Sequence, residues 1–137
     1  MRWIASLACV AAALSLAAAD HARADVYNCQ VRQSWSVANS GDLELYDSKI
    51  YVGDRFTVDD KTGEVKGAED AVIWRGPWKL VQEGGPSWSL IVFSFYLDDA
   101  KPQQILTVMT WINSPEKSFS HYHPGTGTVL TGLCRLQ

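Results

Sequence analysis

The sequence predicts an all-β fold, a single antiparallel domain of about eight strands that form a barrel or a tight sandwich. Segments rich in β-branched and aromatic residues recur along the chain and are separated by turns rich in glycine, proline and aspartate. No segment after residue 24 keeps a helical spacing of apolar residues between those turns. Two cysteines lie near the ends of the predicted domain, where a disulfide would join its first and last strands.

Residues 1–24 have the pattern of a cleaved signal peptide. Arg2 supplies the positive start, an apolar run covers residues 4–19, and Ala22 and Ala24 form an A-x-A cleavage signal. The apolar run is shorter than the roughly 20 residues that a membrane-spanning helix needs. We therefore expect a periplasmic or extracellular protein whose all-β domain covers residues 25–137, with no stable membrane insertion after cleavage.

The charge of the chain argues against a nucleic-acid partner. The chain has 12 basic and 15 acidic residues, a net charge of −3, and loss of residues 1–24 would remove two basic residues and one acidic residue. A surface that binds nucleic acid needs clustered lysine and arginine, and the sequence shows no such run. We expect the partner to be a protein or a small ligand.

The cysteines predict one disulfide. Cys9 would leave with the signal peptide, so the exported domain would keep Cys29 and Cys134, one near each end. Two cysteines in an oxidising compartment are most simply bonded to each other. This pairing would also remove both thiols from any catalytic role.

The first predicted strand begins the domain. From residue 27 to residue 35 apolar and polar residues alternate, which is typical of a half-buried strand. The alternation places Tyr27, Cys29, Val31 and Trp35 on the inner face. It places Ser34 on the outer, polar face.

The segment RFTVDDKTGEVKG, residues 55–67, predicts a β-hairpin. Asp60 occupies the first position of the turn and Gly63 the fourth, where a type I turn is followed by a residue with a positive φ. The alternating carboxylates and the closing glutamate of a calcium loop are absent. The acidic residues here are therefore interpreted as turn residues.

Three later segments complete the predicted sheet. Residues 88–97 and 105–112 are apolar on both faces and predict central strands. Residues 117–136 predict a final hairpin that turns at Pro124 and Gly125. Its last strand would place Leu130 and Cys134 on one face.

No catalytic residue, metal site or cofactor is predicted. His121 and His123 would project to the same side of a strand, but two imidazoles are fewer than the three or four protein ligands of a zinc site. The glycine and threonine residues that follow lack the lysine and the helix of a phosphate loop. The serines lack the glycine-flanked turn of a nucleophile elbow.

Two turns contain the candidate recognition residues. Five tryptophans follow residue 24, and aromatic side chains either fill a core or form a binding face. Trp74 and Trp78 flank a glycine-proline turn, where an exposed ring would serve recognition. His121 and His123 precede the turn of the final hairpin. We expect these two regions to be exposed loops.

Three short motifs give the chain a family resemblance. YNCQV, FTVDDKTGEVKG and TVLTGLC resemble a group of small exported bacterial proteins of unknown function that share an F-x-V-D-x-x-T-G hairpin and a closing T-G-x-C strand. The Tyr-x-Cys start is also similar to that of periplasmic lysozyme inhibitors of the small-barrel type, whose inhibitory loop motif is absent here. The second resemblance implies a small barrel that binds a protein.

Three functions remain after these observations. The favoured one is an exported, non-catalytic binding protein, for example an inhibitor, that uses its exposed aromatic loops. The second is a carrier of a small ligand in a cavity inside the barrel. An enzyme is the third.

Overall fold

The all-β prediction is confirmed. The computed structural model describes residues 25–46, 50–67, 76–96 and 99–137, so the predicted signal peptide lies outside the described residues. The described residues contain no helix that is long and apolar enough to cross a membrane. They form the strands β1 (Val26–Val37), β2 (Leu43–Leu45), β3 (Arg55–Asp59), β4 (Val65–Gly67), β5 (Trp78–Gln82), β6 (Leu90–Tyr96), β7 (Asp99–Val108), β8 (Glu116–His123) and β9 (Thr128–Leu136).

The strands form one antiparallel, nearly closed, barrel-like sheet. Their order is β4-β3-β1-β9-β8-β7-β6-β5, and β2 pairs with the second half of β1 on the same edge as β3. Hairpins therefore connect neighbours from β5 to β9, whereas β9 returns to lie beside β1. Full pairing of this kind satisfies the backbone groups of every strand inside the sheet.

The predicted disulfide joins β1 and β9. Cys29 and Cys134 are directly opposite each other in the ladder, their sulfurs are bonded at 2.00 Å, and both side chains are buried. The bond encloses most of the domain, since the two residues are 105 positions apart. A crosslink over so long a loop restricts the unfolded chain strongly and fixes the register of the two terminal strands.

A β-bulge in β1 changes the predicted inner face. Opposite β9, Val31 pairs with Gly132 but Gln33 pairs with Thr131, so one extra residue is inserted between them. The insertion reverses the alternation that follows, because successive side chains point to opposite faces. Ser34 is consequently buried and Trp35 only half-buried, so the predicted faces of these two residues are wrong.

The barrel interior is built from successive rows of cross-strand neighbours. One row is apolar and contains Leu90, Val108, Phe119, Gly132 and Val31. The next row contains Val92, Leu106, His121, Leu130 and Ser34. Every residue of the second row is at most 1% exposed, so this part of the interior is filled by side chains.

Gly132 makes room for Phe119, the largest of the fully buried side chains among the described residues. A Cβ at this position would lie 2.6 Å from Cε1 of Phe119 and 2.0 Å from the carbonyl oxygen of Gln30. The Phe119 ring covers the glycine and meets Phe56 edge to face, with the ring centroids 5.1 Å apart. The T-G-x-C motif therefore packs the core, because only glycine lets β1 and Phe119 approach β9 this closely.

The β3–β4 turn also depends on a glycine. The Asp59 side chain accepts hydrogen bonds from the backbone N–H groups of Lys61 and Thr62, both at 2.8 Å, and Gly63 follows with a φ of 71°. The predicted positive φ is thus confirmed, although Asp59 rather than Asp60 caps the turn. A Cβ on Gly63 would lie 2.6 Å from the backbone nitrogen of Leu80 in β5.

We predict that Gly63→Val destabilises the domain by more than about 1 kcal/mol, because a β-branched residue is strained at positive φ and would also collide with β5. Gly41→Val is the matched control: Gly41 has a φ of 90° but no atom within 4 Å of its Cβ position. Urea unfolding of both variants should show the larger loss for Gly63→Val. Equal losses would mean that the contact with β5 has no effect.

Candidate functional site

Two exposed tryptophans lie at the same end of the barrel. Trp88 belongs to the loop between β5 and β6, and Trp111 belongs to the loop between β7 and β8. Their exposed fractions are 59% and 51%. We call this region, residues 83–89 and 109–115, the tryptophan end.

Thr110 ties the two loops together. Its Oγ1 accepts a hydrogen bond from the Gly85 N–H at 3.0 Å and lies 2.7 Å from the Trp88 carbonyl oxygen, to which it donates. The Gly85 N–H also donates to the Trp88 carbonyl oxygen, at 3.1 Å. One side chain from the second loop therefore holds the backbone on both sides of the turn that contains Trp88.

Glycine allows this close packing. A Cβ on Gly84 would lie 2.7 Å from Cγ2 of Thr110, and a Cβ on Gly85 would lie 2.6 Å from Nε1 of Trp88. The indole of Trp88 thus lies directly against the loop backbone. The second loop is held from β8, where the Lys117 ammonium donates a hydrogen bond to the Ile112 carbonyl oxygen. Both indoles are presented by loops with fixed internal contacts.

The predicted recognition residues occupy different places. Trp74 lies outside the described residues. Trp78 begins β5 and is half-buried against the core. His121 is fully buried, so the expectation that it lies on an exposed loop is wrong. His123 ends β8 and is half-buried, and its Nδ1 is 3.1 Å from Oγ1 of Thr126 in the adjacent turn.

His121 belongs to a buried polar cluster at the end of the barrel opposite the tryptophan end. Its Nε2 is 2.8 Å from Oε1 of Gln104, which accepts the proton of the Nε2–H tautomer. Ser94 is paired with Gln104 across the β6–β7 ladder and is also buried. The ring of Trp78 lies 6.3 Å from the His121 ring, centroid to centroid. The alternation of β8 places His121 inside, and the bulge in β1 adds Ser34.

Burial keeps His121 neutral. Desolvation, with a smaller contribution from nearby His123, lowers the pKa of His121 to about 3. A neutral imidazole is a suitable metal ligand, but the described residues contain no group of three or more His, Cys, Asp or Glu side chains arranged to hold a metal ion. The polar cluster therefore consists of neutral side chains, which can form hydrogen bonds but carry no charge.

The exposure of Trp88 and Trp111 does not follow from the sequence pattern. The pattern places them inside long apolar strands, at residues 88–97 and 105–112, whereas β6 begins at Leu90 and β7 ends at Val108. The available signals are the turn residues Pro86 and Ser87 before Trp88, and residues 113–115 after Trp111.

Comparison of the chain with protein-family models, with curated proteins and with solved structures finds no match.

The buried histidine gives a pH-dependent stability. In the unfolded chain His121 would titrate near its ordinary pKa of about 6.5, whereas in the folded protein it stays neutral to about pH 3. The unfolded state therefore binds more protons as the pH falls from 6.5 towards 3, and the protein loses stability over that range. We expect the free energy of unfolding to fall between pH 7 and pH 4.5 by about 2 kcal/mol less in His121→Gln than in the wild type, as measured by urea unfolding.

The control for this prediction is His123→Gln, which changes the other histidine of β8 and should keep the acid-dependent loss of the wild type. An unchanged pH dependence in His121→Gln would show that the folded protein protonates His121 as readily as the unfolded chain does.

Proposed function

We propose that the protein is an exported, non-catalytic binding protein that recognises a protein partner through the tryptophan end. The observation that carries this proposal is the pair of indoles, Trp88 and Trp111, each more than half exposed on adjoining loops. Tryptophan is enriched among the residues that contribute most to protein–protein binding. Two such rings at one end of a small domain are more than its own packing requires.

The loops that hold the indoles support recognition of a partner of fixed shape. The contacts of Thr110 with Gly85 and Trp88 hold the turn in one conformation before binding. A surface ordered in advance loses less conformational entropy on binding, so more of the contact energy appears as affinity. Loops of this kind would suit an inhibitor that inserts a rigid surface into a partner's cleft.

Two features support export to the periplasm or beyond. The Cys29–Cys134 bond is of the kind that persists in oxidising compartments. Residues 1–24 carry the charge, apolar run and cleavage signal of a signal peptide. The partner would accordingly be an envelope or extracellular protein.

A small-ligand carrier is the second candidate. The observation in its favour is the buried polar cluster, in which Ser94, Gln104 and His121 lie inside one end of the barrel beside Trp78. Apolar rows fill the described interior beyond this cluster, which favours the protein binder. Native mass spectrometry of protein purified gently from the envelope fraction separates the two functions: a retained small molecule supports the carrier.

The test of the proposed function removes both indoles. Wild-type protein is cross-linked in the envelope fraction, the captured protein is identified and purified, and its affinity is measured by calorimetry. The double variant Trp88→Ala/Trp111→Ala should bind that partner at least tenfold more weakly, since tryptophan truncations at interfaces commonly exceed about 1.4 kcal/mol. Circular dichroism should show that the variant is folded.

The matched control is Leu43→Ala/Leu45→Ala, which removes exposed apolar surface from β2 at the opposite end of the barrel. It should bind with wild-type affinity. A tryptophan variant that binds as well as the wild type, or a control that loses equal affinity, would place the binding surface elsewhere.

A further inference from the structure

A groove on the outer face of the sheet collects most of the arginines of the domain. It crosses β3, β1, β9 and β8 and has a volume of about 590 Å³. Residues 25–137 contain four arginines, and three of them, Arg32, Arg55 and Arg135, line this groove. Among the described residues no lysine lines it. Guanidinium groups are therefore concentrated at one place on a chain whose net charge is −3.

The register of the strands brings the three arginines together. Arg55 of β3 is opposite Gln30 of β1. Arg32 follows two residues later along β1, where it is the residue that the bulge inserts between Val31 and Gln33. Arg135 of β9 is opposite Asn28 of β1. Neighbouring strands are about 4.8 Å apart, so these long side chains can reach a common ligand in the groove.

The charges in the groove are only partly neutralised. The Glu116 carboxylate accepts a hydrogen bond from Nε of Arg135 at 2.8 Å and forms an ion pair with the same guanidinium group. Within the four described segments Arg32 and Arg55 have no ion-pair partner. Three guanidinium groups and one carboxylate leave two unbalanced positive charges, whose mutual repulsion does not help the fold.

We propose that this groove binds an anionic ligand that carries two closely spaced acid groups, phosphate or carboxylate. The planar guanidinium forks of Arg32 and Arg55 suit bidentate contacts with either group. The side-chain amides of Asn28 and Gln30 belong to the lining between them and provide further hydrogen bonds. The groove is a binding site separate from the tryptophan end.

The test uses inorganic pyrophosphate and citrate as probes, each titrated into the domain at low salt and followed by calorimetry and NMR. One of them should bind and shift the amide signals of β1, and the probe that binds tells a phosphate ligand from a carboxylate ligand. Arg32→Gln/Arg55→Gln should weaken binding at least tenfold. Lys66→Gln/Lys79→Gln removes the same charge outside the groove and should leave the affinity within about twofold.

Two results would overturn the anion site. One is that neither probe binds. The other is that the lysine variant loses as much affinity as the arginine variant, because the effect would then come from the overall charge of the chain.

A second, independent observation concerns the start of the domain. The side chain of Asp60 is buried, with the residue only 5% exposed, and its Oδ1 accepts a hydrogen bond from the backbone nitrogen of Asp25 at 3.0 Å. The Asp60 N–H in turn donates to the Asp25 carbonyl oxygen at 3.1 Å. The β3–β4 turn thus holds residue 25 by two hydrogen bonds.

Acidic neighbours outnumber basic ones around the Asp60 carboxylate. Burial raises its pKa, and the carboxylates of Asp25 and Asp59 add to this effect, whereas the Asp25 N–H and the Lys61 charge oppose it. Lys61 is itself paired with Glu83, at 3.0 Å. An additional cation within about 4 to 6 Å would favour the charged form of this carboxylate.

The predicted cleavage would supply that cation. Hydrolysis of the peptide bond between Ala24 and Asp25 adds one water, leaves a carboxylate on Ala24 and converts the Asp25 nitrogen into an α-ammonium group. We infer that this new N-terminus forms an ion pair with Asp60, so that removal of the signal peptide stabilises the folded domain. This inference depends on the export that is part of the proposed function.

The first experiment determines the N-terminal residue of the exported protein by intact-mass measurement. Asp25 is expected. Export with a different N-terminus would overturn the ion pair and leave the proposed export standing, whereas a full-length protein retained in the cytoplasm would overturn both.

The second experiment is a thermodynamic cycle. Domains that begin at Asp25 and at Ala24 are compared, each with Asp60 and with the Asp60→Asn substitution. With Asp60, retention of Ala24 should raise the unfolding equilibrium constant about tenfold, because the ammonium group is displaced by one residue. In the Asp60→Asn background the same extension should change it less than about twofold. Equal effects in the two backgrounds would overturn the ion pair.

Discussion

The pairing of β1 with β9 is the constraint on which the rest of the structure depends. It brings together the two ends of the described domain, and the Cys29–Cys134 bond fixes it at one register. Because side chains alternate along a strand, this register determines which residues of both strands enter the barrel. Phe119 can then cover Gly132, and Leu130 can occupy the row beside His121. A slip of one residue would turn each of these side chains outward.

The bulge in β1 separates an apolar part of the barrel interior from a part that also contains polar side chains. Before the bulge Cys29 and Val31 extend the apolar core, and after it Ser34 faces inward in the row that contains His121. The end that carries the tryptophan loops therefore lies over a packed apolar core. The opposite end contains the polar cluster of Gln104 and His121. A rigid core under the tryptophan end helps to hold its loops in place, as a binding surface of fixed shape requires.

The sequence predicts the fold better than the site, for a physical reason that particular residues show. Alternation, turn composition and the two terminal cysteines are enough for the all-β domain, its disulfide and the positive φ of Gly63, because each depends on local geometry or compartment. The inward face of Ser34 depends on one inserted residue, which leaves no compositional trace. The exposure of Trp88 and Trp111 depends on where β6 begins and β7 ends, and an apolar residue next to a strand resembles a residue inside it.

The distribution of the exposed groups bears on how binding and stability are related in this protein. The tryptophan end is formed by loops, whereas the groove lined by Arg32, Arg55 and Arg135 is formed mainly by outward side chains of strands whose inward side chains build the core. Arg55 and Arg135 are outward positions held by the backbone ladder, and Arg32 is the residue that the bulge inserts between Val31 and Gln33. All three side chains are exposed, so they can change without a change in the packing of the core. The packing of the core therefore does not require arginine at positions 32 and 55. The packing thus gives the two unbalanced positive charges no role, whereas the proposed anion site would give them one.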